Sequence, residues 1–204
     1  MYKNEVLKLF PEPVFKYKFK DFEKINIELS KYIYDLYDKD NKGVKRSNVN
    51  GWHSKNFDLS DKESIQHKFF LNLGDYVFHS FKHYGWKIDP KKITIKEMWA
   101  IINKKGNFNV IHTHPNCYMS AAYYVKAPKN CGEFIVESPN TAKRYAYPKI
   151  ENDNELNMQV AKIDISEGDL LLFPSYLPHK VGVNESDEDR IVISFNISID
   201  KNYK

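Results

Sequence analysis

The spacing of hydrophobic residues changes part-way along the chain. Apolar residues recur every three or four positions from Asp21 to Tyr37 and again from Lys62 to Tyr84. This spacing predicts two amphipathic helices, with Asp21 as the cap of the first. Ahead of them, the segment Val6 to Phe19 alternates around two prolines and predicts a strand interrupted by a turn.

After residue 92 the pattern changes to short alternating or wholly apolar runs, which are typical of strands. The predicted strands are Ile93 to Ile102, Val110 to His112, Met119 to Lys126, Glu133 to Glu137, Met158 to Ile163, Asp169 to Phe173, His179 to Val183 and Arg190 to Ile199. Gly132 and Gly168 are predicted to be turn glycines. Helices followed by strands indicate a mainly β fold, a sandwich or barrel with flanking helices.

Length and composition indicate one soluble domain. A chain of 204 residues fits a single domain, with residues 1–90 as a mostly helical support layer and residues 91–204 as the β core. The net charge of +4 is spread along the chain without an arginine cluster, so we expect no nucleic-acid partner. The absence of a long apolar stretch or signal-peptide core, together with only two cysteines, predicts a cytoplasmic protein without membrane contact.

Two histidines one residue apart are the first candidate ligands. His112 and His114 follow a predicted strand, where residues at i and i+2 share a face and can approach one ion. His179 ends a later apolar run, and Arg190 opens the next strand. Each feature alone is ordinary for a surface loop or strand edge, but their joint order indicates a metal site with open positions.

A wider set of motifs resembles a known family. The motifs are His112-x-His114, Tyr123-Tyr124-Val125, Gly132-Glu-Phe-Ile, Glu167 to Pro174, His179 and Arg190 to Asn196, with Gly51-Trp-His-Ser54 and Trp99 to Asn103 ahead of them. Their order resembles the iron(II)/2-oxoglutarate-dependent dioxygenases of the prolyl-hydroxylase-like branch, and within it a group of oxygenases from bacteria and phages. The resemblance covers most of the chain. It implies a double-stranded β-helix (jelly-roll) core, with Fe(II), 2-oxoglutarate and O2 as cofactor and co-substrates.

The resemblance also implies the metal ligands. It maps His112 and His179 onto the family's two histidines, while the family's usual aspartate falls on His114. Three neutral imidazoles leave the metal more positive by one charge and favour an anionic co-ligand. Two alternatives remain: Glu137 or Glu133 reaches in from the neighbouring strand, or two histidines bind with water in the third place.

A second group of residues is expected to hold 2-oxoglutarate. Arg190 occupies the position of the family's arginine, whose planar fork meets a carboxylate with two hydrogen bonds. Ser194 follows four residues later on the same strand face, and Tyr124 matches the family's hydroxyl donor. Asn103 and Asn196 are expected to hydrogen-bond the oxo acid or to orient a ligand.

The polar segment from Ser47 to Ser54 is predicted to be a mobile lid over the substrate, with Trp52 as its cover. The alternative is that Trp52 fixes this segment to the core, since tryptophan is commonly buried. His53 lies beside it.

The function implied is hydroxylation of an unactivated C–H bond, coupled to decarboxylation of 2-oxoglutarate. The substrate is expected to be a peptidyl residue, an amino acid or a small metabolite. One alternative is a cupin-like module that holds zinc or nickel without turnover. Another is a basic-surface binding protein with incidental histidines. Arg190 distinguishes the cupin-like module from the oxygenase, because a buried arginine facing the metal has no purpose without an acid to bind.

Overall fold

The computed structural model describes residues 5–144 and 148–200. The helices are α1 (Phe22–Lys39), α2 (Ile65–Leu71) and α3 (Gly74–His83), with 3-10 turns at Pro90–Lys92 and Thr141–Arg144. The strands are β1 (Phe15–Lys18), β2 (Asn48–Val49), β3 (Trp52–His53), β4 (Ile93–Asn103), β5 (Phe108–His112), β6 (Met119–Lys126), β7 (Phe134–Glu137), β8 (Val160–Ile163), β9 (Asp169–Pro174), β10 (His179–Val181) and β11 (Arg190–Ile199).

The strands form two antiparallel sheets. One has the order β1-β9-β6-β11-β4-β3 and the other β2-β5-β10-β7-β8. The long central strand β11 pairs with β4 on one side and β6 on the other. The predicted mainly β architecture, a jelly-roll core with flanking helices, is confirmed.

Alternation along the strands of the six-stranded sheet creates two apolar layers. On β6, Tyr123 packs into a layer shared with the helices, which includes Leu29 and Phe69, whereas Tyr124 packs into a layer with Phe134 of the opposite sheet. Successive strand residues point to opposite faces, so the same strands carry both layers. The helices therefore cover the outer face, and the inner face is left to form a site between the sheets.

The first predicted strand and helix cap need correction. Of the segment Val6 to Phe19, only Phe15–Lys18 pairs as a strand, with β9. The two prolines before it lack the N–H that a ladder needs, and Phe10 has a left-handed backbone with φ of 60°. Asp21 is also left-handed, with φ of 52°, and its side chain makes no cap hydrogen bond. Asp21 therefore occupies the predicted N-cap position of α1, but its side chain does not act as the cap.

The helix predicted from Lys62 to Tyr84 is two helices. The Ser64 side chain caps α2, which ends at Leu71, and the turn before Gly74 brings Leu73 fully into the core. Apolar spacing could not reveal the break, because Leu73 maintains the stripe across it. Across residues 5–144 and 148–200, no helix combines the length and apolar character needed to cross a bilayer.

The predicted lid is a strap that joins the two sheets. We use "strap" for residues 44–56, in which β2 pairs with β5 in one sheet and β3 pairs with β4 in the other. Trp52 is 6% exposed, its Nε1 donates to the Asp40 carbonyl at 2.7 Å, and its ring meets Tyr37 edge-on. The prediction that Trp52 covers the substrate is wrong, since the side chain belongs to the core.

One buried carboxylate connects β1 to β9. Asp169 is almost inaccessible and lies 2.6 Å from Lys18 Nζ and 3.1 Å from Lys16 Nζ, while it accepts from the Ser166 N–H at 2.8 Å. Burial alone would raise the pKa of Asp169, but these hydrogen bonds and charges outweigh it and lower that pKa.

We expect Trp52→Ala to lower the free energy of unfolding by about 3–5 kcal/mol, because a buried indole and its hydrogen bond are lost. Urea unfolding followed by circular dichroism measures the change. Trp86→Ala is the control, since Trp86 is 42% exposed and should cost much less. An unchanged midpoint for Trp52→Ala would restore the lid interpretation.

We expect Asp169→Asn to cost about 1–3 kcal/mol at pH 7, since a charged acceptor is removed from a buried site. The pKa of Asp169 is lower in the folded than in the unfolded state, so its ionised carboxylate stabilises the fold at pH values above the unfolded-state pKa. This stabilisation is lost as the pH falls through the folded-state pKa. The difference between wild type and variant should therefore shrink in acid. Asp187→Asn, which removes an exposed partner of Lys105, is the control and should change little. Equal losses in both variants would contradict the assignment.

Candidate active site

A cavity of about 1200 Å³ lies between the two sheets. Inward-facing side chains of β4, β6 and β11 line one wall, residues of β5 and β10 line the other, and the strap borders its mouth. Most of the groups described below are therefore placed by strands of the core.

Three imidazoles converge in this cavity. The possible ligand atoms of His112, His114 and His179 all lie within 4.8 Å of one another, and Nε2 of His114 is 3.3 Å from Nε2 of His179. The expectation that these histidines are incidental surface residues is wrong.

A β-bulge brings the first imidazole inward. His179 and Val181, two residues apart on β10, lie opposite His112 and Asn109, three apart on β5. The extra residue lets both β5 side chains face the cavity, as bulges near active sites do. His114 lies beyond the end of β5, where its N–H donates to the Ser175 carbonyl at 2.9 Å. The prediction that His112 and His114 approach one point is therefore confirmed. Its reason was incomplete, because only His112 lies on β5 and the two histidines do not share one regular strand.

Two of the rings are oriented by backbone carbonyls. Nδ1 of His112 lies 2.8 Å from the Val110 carbonyl oxygen, and Nδ1 of His179 lies 2.9 Å from that of Leu177. A carbonyl only accepts, so Nδ1 carries the proton and Nε2 keeps its lone pair. Burial lowers the pKa of His112, that of His114 to about 4 and that of His179 to about 3. Three neutral imidazoles on one side suit a divalent transition metal.

The carboxylates considered as alternative ligands point away. On β7, Phe134 and Val136 pack between the sheets, so Glu133 and Glu137 lie on the other face. Glu137 contacts Lys180 at 3.1 Å, and Glu133 lies 3.6 Å from Lys162. The hypothesis that either glutamate completes the metal site is wrong.

Arg190 is buried deep in the cavity without a carboxylate. It is 1% exposed, and its Nη1 donates to the carbonyls of Cys131 and Gly182, the latter at 3.0 Å. Nε and Nη2 have no partner among the described residues, and neither has the Tyr124 hydroxyl. Burial raises the pKa of Tyr124 while the nearby Arg190 charge opposes this, and burial lowers the pKa of Arg190. These unsatisfied donors fit a carboxylate, the group that 2-oxoglutarate would bring.

A left-handed glycine shapes the backbone around this arginine. Gly132 has φ of 86°, and a Cβ at this position would collide with the Gly182 carbonyl group. Its neighbour Cys131 supplies the other carbonyl acceptor. The turn role predicted for Gly132 is therefore tied to the arginine pocket.

A chain of hydrogen bonds connects Asn103 to His112. Its Nδ2 donates to Asn109 Oδ1 at 2.9 Å, Asn109 Nδ2 donates to Ser47 Oγ at 3.1 Å, and Ser47 Oγ lies 3.4 Å from His112 Nε2. The Gly51 backbone packs against the Asn103 amide so closely that a Cβ would collide. This chain suits the orienting role expected of Asn103.

The other two predicted residues also line the cavity. Ser194 faces it from β11, on the same side as Arg190. Asn196 lies farther along, where its Oδ1 accepts from Ser120 Oγ at 2.9 Å and its Nδ2 donates to Glu97 at 2.8 Å. The Asn196 amide is thus engaged with neighbouring side chains.

Sequence reasoning assigned no role to Asn109 or Trp99 in the site. Trp99 lies between His53 and His114, with ring centroids 5.4 Å and 5.9 Å away. The alternation of residues 97, 99, 101 and 103 on β4 could have placed Trp99 on the cavity face. Asn109 could not be placed, because the bulge that turns it inward has no signal in the sequence.

Residues 97–196, from β4 into β11, match the family described as "Putative 2OG-Fe(II) oxygenase". The chain belongs to the 2-oxoglutarate- and Fe(II)-dependent oxygenases. The cofactor and co-substrates of these oxygenases are Fe(II), 2-oxoglutarate and O2. Comparison with curated proteins gives no significant match.

Solved structures share this fold at low identity. HygX from Streptomyces hygroscopicus, with nickel, 2-oxoglutarate and hygromycin B bound, has a TM-score of 0.66 at 10% identity, covering 93% of this chain and 84% of its own. A Pseudomonas putida prolyl-4-hydroxylase gives 0.65 at 10% identity, with coverages of 92% and 93%. The epimerase SnoN from nogalamycin biosynthesis gives 0.68 at 10% identity, with coverages of 92% and 77%.

We expect His114→Ala to weaken Co(II) binding by about 100-fold or more, because a converging ligand is lost. Titration of the cobalt absorption bands under anaerobic conditions measures the change. His79→Ala, which removes an exposed imidazole from α3, is the control and should bind Co(II) normally. Near-normal affinity in His114→Ala would favour a centre of two histidines and water.

Proposed function

We propose that this oxygenase hydroxylates an unactivated C–H bond of a peptidyl residue, an amino acid or a small metabolite. In this reaction 2-oxoglutarate and O2 are consumed, one oxygen atom enters the new hydroxyl group, the other enters succinate, and CO2 is released. The single observation that carries the proposal is the pairing of three convergent imidazoles with a buried arginine that lacks an anion.

His112, His114 and His179 would hold Fe(II) through their Nε2 atoms. The metal supplies, when bound, the open positions at which the oxo acid and O2 meet. The carbonyls of Val110 and Leu177 fix two of the rings before any ion arrives. The hydrogen-bond chain from Asn103 through Asn109 positions Ser47 beside Nε2 of His112, and the ion would displace Ser47 from that lone pair.

Arg190 and Tyr124 would bind the distal carboxylate of 2-oxoglutarate. The guanidinium offers Nε and Nη2, and the phenol offers its proton, which remains in place because burial raises the Tyr124 pKa. Ser194 lies on the same strand face and would complete the contact to the oxo acid. The apolar side chains Phe134 and Phe173 pack against the His179 ring, and Val192 follows Arg190 on β11, so apolar surface lines the cavity between the two groups.

A cupin-like metal module would explain the histidines but not Arg190. Removing a guanidinium from water costs several kcal/mol unless an opposite charge meets it. The described residues supply only two carbonyl oxygens and no carboxylate to this side chain. An acidic co-substrate accounts for the cost, whereas a structural zinc or nickel ion does not.

Proteins of this fold carry out different reactions on different substrates, so both the reaction and the substrate of this chain have to be proposed. HygX is described with hygromycin B bound, another structure is named a prolyl-4-hydroxylase, and SnoN is named an epimerase. We favour hydroxylation and a substrate small or extended enough to enter the cavity. The cytoplasm is the proposed compartment, since Cys117 and Cys131 carry free thiols.

We expect Arg190→Met to weaken 2-oxoglutarate binding to the Fe(II) protein by about 2–5 kcal/mol, because a buried charge-assisted contact is lost. Anaerobic titration of the visible absorption band that accompanies oxo-acid binding measures this. Fe(II) affinity should be unchanged, and Lys105→Met, at an exposed ion pair, is the control.

Unchanged 2-oxoglutarate affinity in Arg190→Met would contradict the oxo-acid site. Mass spectrometry of the converted substrate then separates the two reactions. A gain of one oxygen atom supports hydroxylation, whereas an unchanged mass with inverted stereochemistry would support epimerisation.

A further inference from the structure

The cavity has a second polar region between the metal ligands and the mouth. It begins at Trp99, which stacks beside His114, and continues through His53 to the strap. None of these groups is used to bind the metal or the oxo acid, so the region is available to a substrate.

Trp99 has an unsatisfied donor in this region. The side chain is 8% exposed and borders the cavity, and its Nε1 hydrogen has no acceptor among the residues that the structure describes. A buried donor without a partner costs about 1–3 kcal/mol. An acceptor on a bound molecule would remove this cost.

His53 offers the complementary acceptor. Its ring lies nearly parallel to the Trp99 indole, at an angle of 9°. Nδ1 lies 2.6 Å from the Ser54 carbonyl oxygen and therefore carries the proton, which leaves Nε2 as the acceptor. Burial, with a smaller contribution from the Arg46 charge, lowers the pKa of His53 and keeps the ring neutral. An N–H donor and a ring acceptor side by side match the C=O and N–H of one residue in an extended peptide, which point to the same side, whereas those of a single trans amide point in opposite directions.

The mouth beside these rings carries positive charge. Arg46, Lys55 and Lys96 border the cavity there, against the single carboxylate Glu97. Lys55 is paired with Asp40 at 3.1 Å, whereas Arg46 contacts no carboxylate within residues 5–144 and 148–200. Lys96 also has no ion pair among the described residues, but Arg46 is the cation whose charge acts on the His53 ring, and it is therefore the one placed to meet a ligand bound there.

We propose that the substrate is an acidic peptide, such as a short peptide or an acylated dipeptide, in which one extended residue directs its C=O at Trp99 and its N–H at His53 and whose carboxylate binds Arg46. This inference rests on the proposed function, because it assumes that the metal and 2-oxoglutarate occupy the inner end of the cavity. It assigns Arg46 and Trp99 as specificity-determining residues.

The test uses N-acetylglycylglycine and its carboxamide as matched compounds that differ in one charge. The protein is loaded with Zn(II), which is diamagnetic and inactive in turnover, and saturated with 2-oxoglutarate in a phosphate-free buffer. Indole N–H resonances are followed by two-dimensional NMR, with the Trp99 signal assigned from Trp99→Phe. We expect the carboxylate compound to shift the Trp99 signal and to bind about tenfold more tightly than the carboxamide. The half-exposed Trp86 should not respond.

Arg46→Gln should abolish the preference for the carboxylate compound. Lys45→Gln removes the same charge from the adjacent exposed residue, which does not border the cavity, and should retain the preference. The inference is overturned if the Trp99 signal does not move, if both compounds bind equally to wild type, or if Lys45→Gln has the effect of Arg46→Gln. Calorimetry of 2-oxoglutarate binding, performed first, separates the two failures: absence of oxo-acid binding would contradict the proposed function and with it this inference, whereas normal oxo-acid binding followed by any of these outcomes would overturn this inference alone.

Discussion

The buried guanidinium of Arg190 is the constraint around which the inner sheet faces are arranged. It lies at the start of β11, the strand that joins β4 to β6, and among the described residues only two carbonyl oxygens accept hydrogen bonds from it. Dipoles offset the desolvation of a cation only in part, so this end of the cavity remains electrostatically incomplete until an anion enters. Three other features form the same pocket: the close approach of Gly132 to Gly182, the burial of the Tyr124 hydroxyl and the apolar layer around Phe134.

The metal end adds to this demand for negative charge. A divalent ion on three neutral imidazoles keeps its full charge, because Glu133 and Glu137 lie outside with lysine partners. An oxo diacid brings one carboxylate to each end, so its two charges match two separated cationic places in one cavity. With His114 as the proposed third ligand, the electrostatics of the metal and of the oxo-acid pocket would depend on each other.

Much of the fold and part of the site could be predicted from sequence, because strand alternation and motif order are local properties. The eight core strands were located to within two residues at most ends, and the three histidines do converge. The features that were missed depend on long-range pairing. Contacts between residues far apart in sequence determine three of these features: the break before Gly74, the pairing of β2 and β3 with different sheets, and the bulge that turns Asn109 inward. Trp52 was misassigned for the same reason, since the polar residues around it conceal its hydrogen bond to Asp40.

The strap has a consequence for how the enzyme admits molecules. Because β2 and β3 bind opposite sheets, the chain bridges the entrance as a fixed frame, with the Trp52 indole as its anchor. A bridge of paired strands across the entrance would limit the cross-section of what can reach the three histidines. Because the backbone hydrogen bonds of this segment are already made within the two sheets, binding would not have to order it, and the entropy that a free loop would lose is avoided.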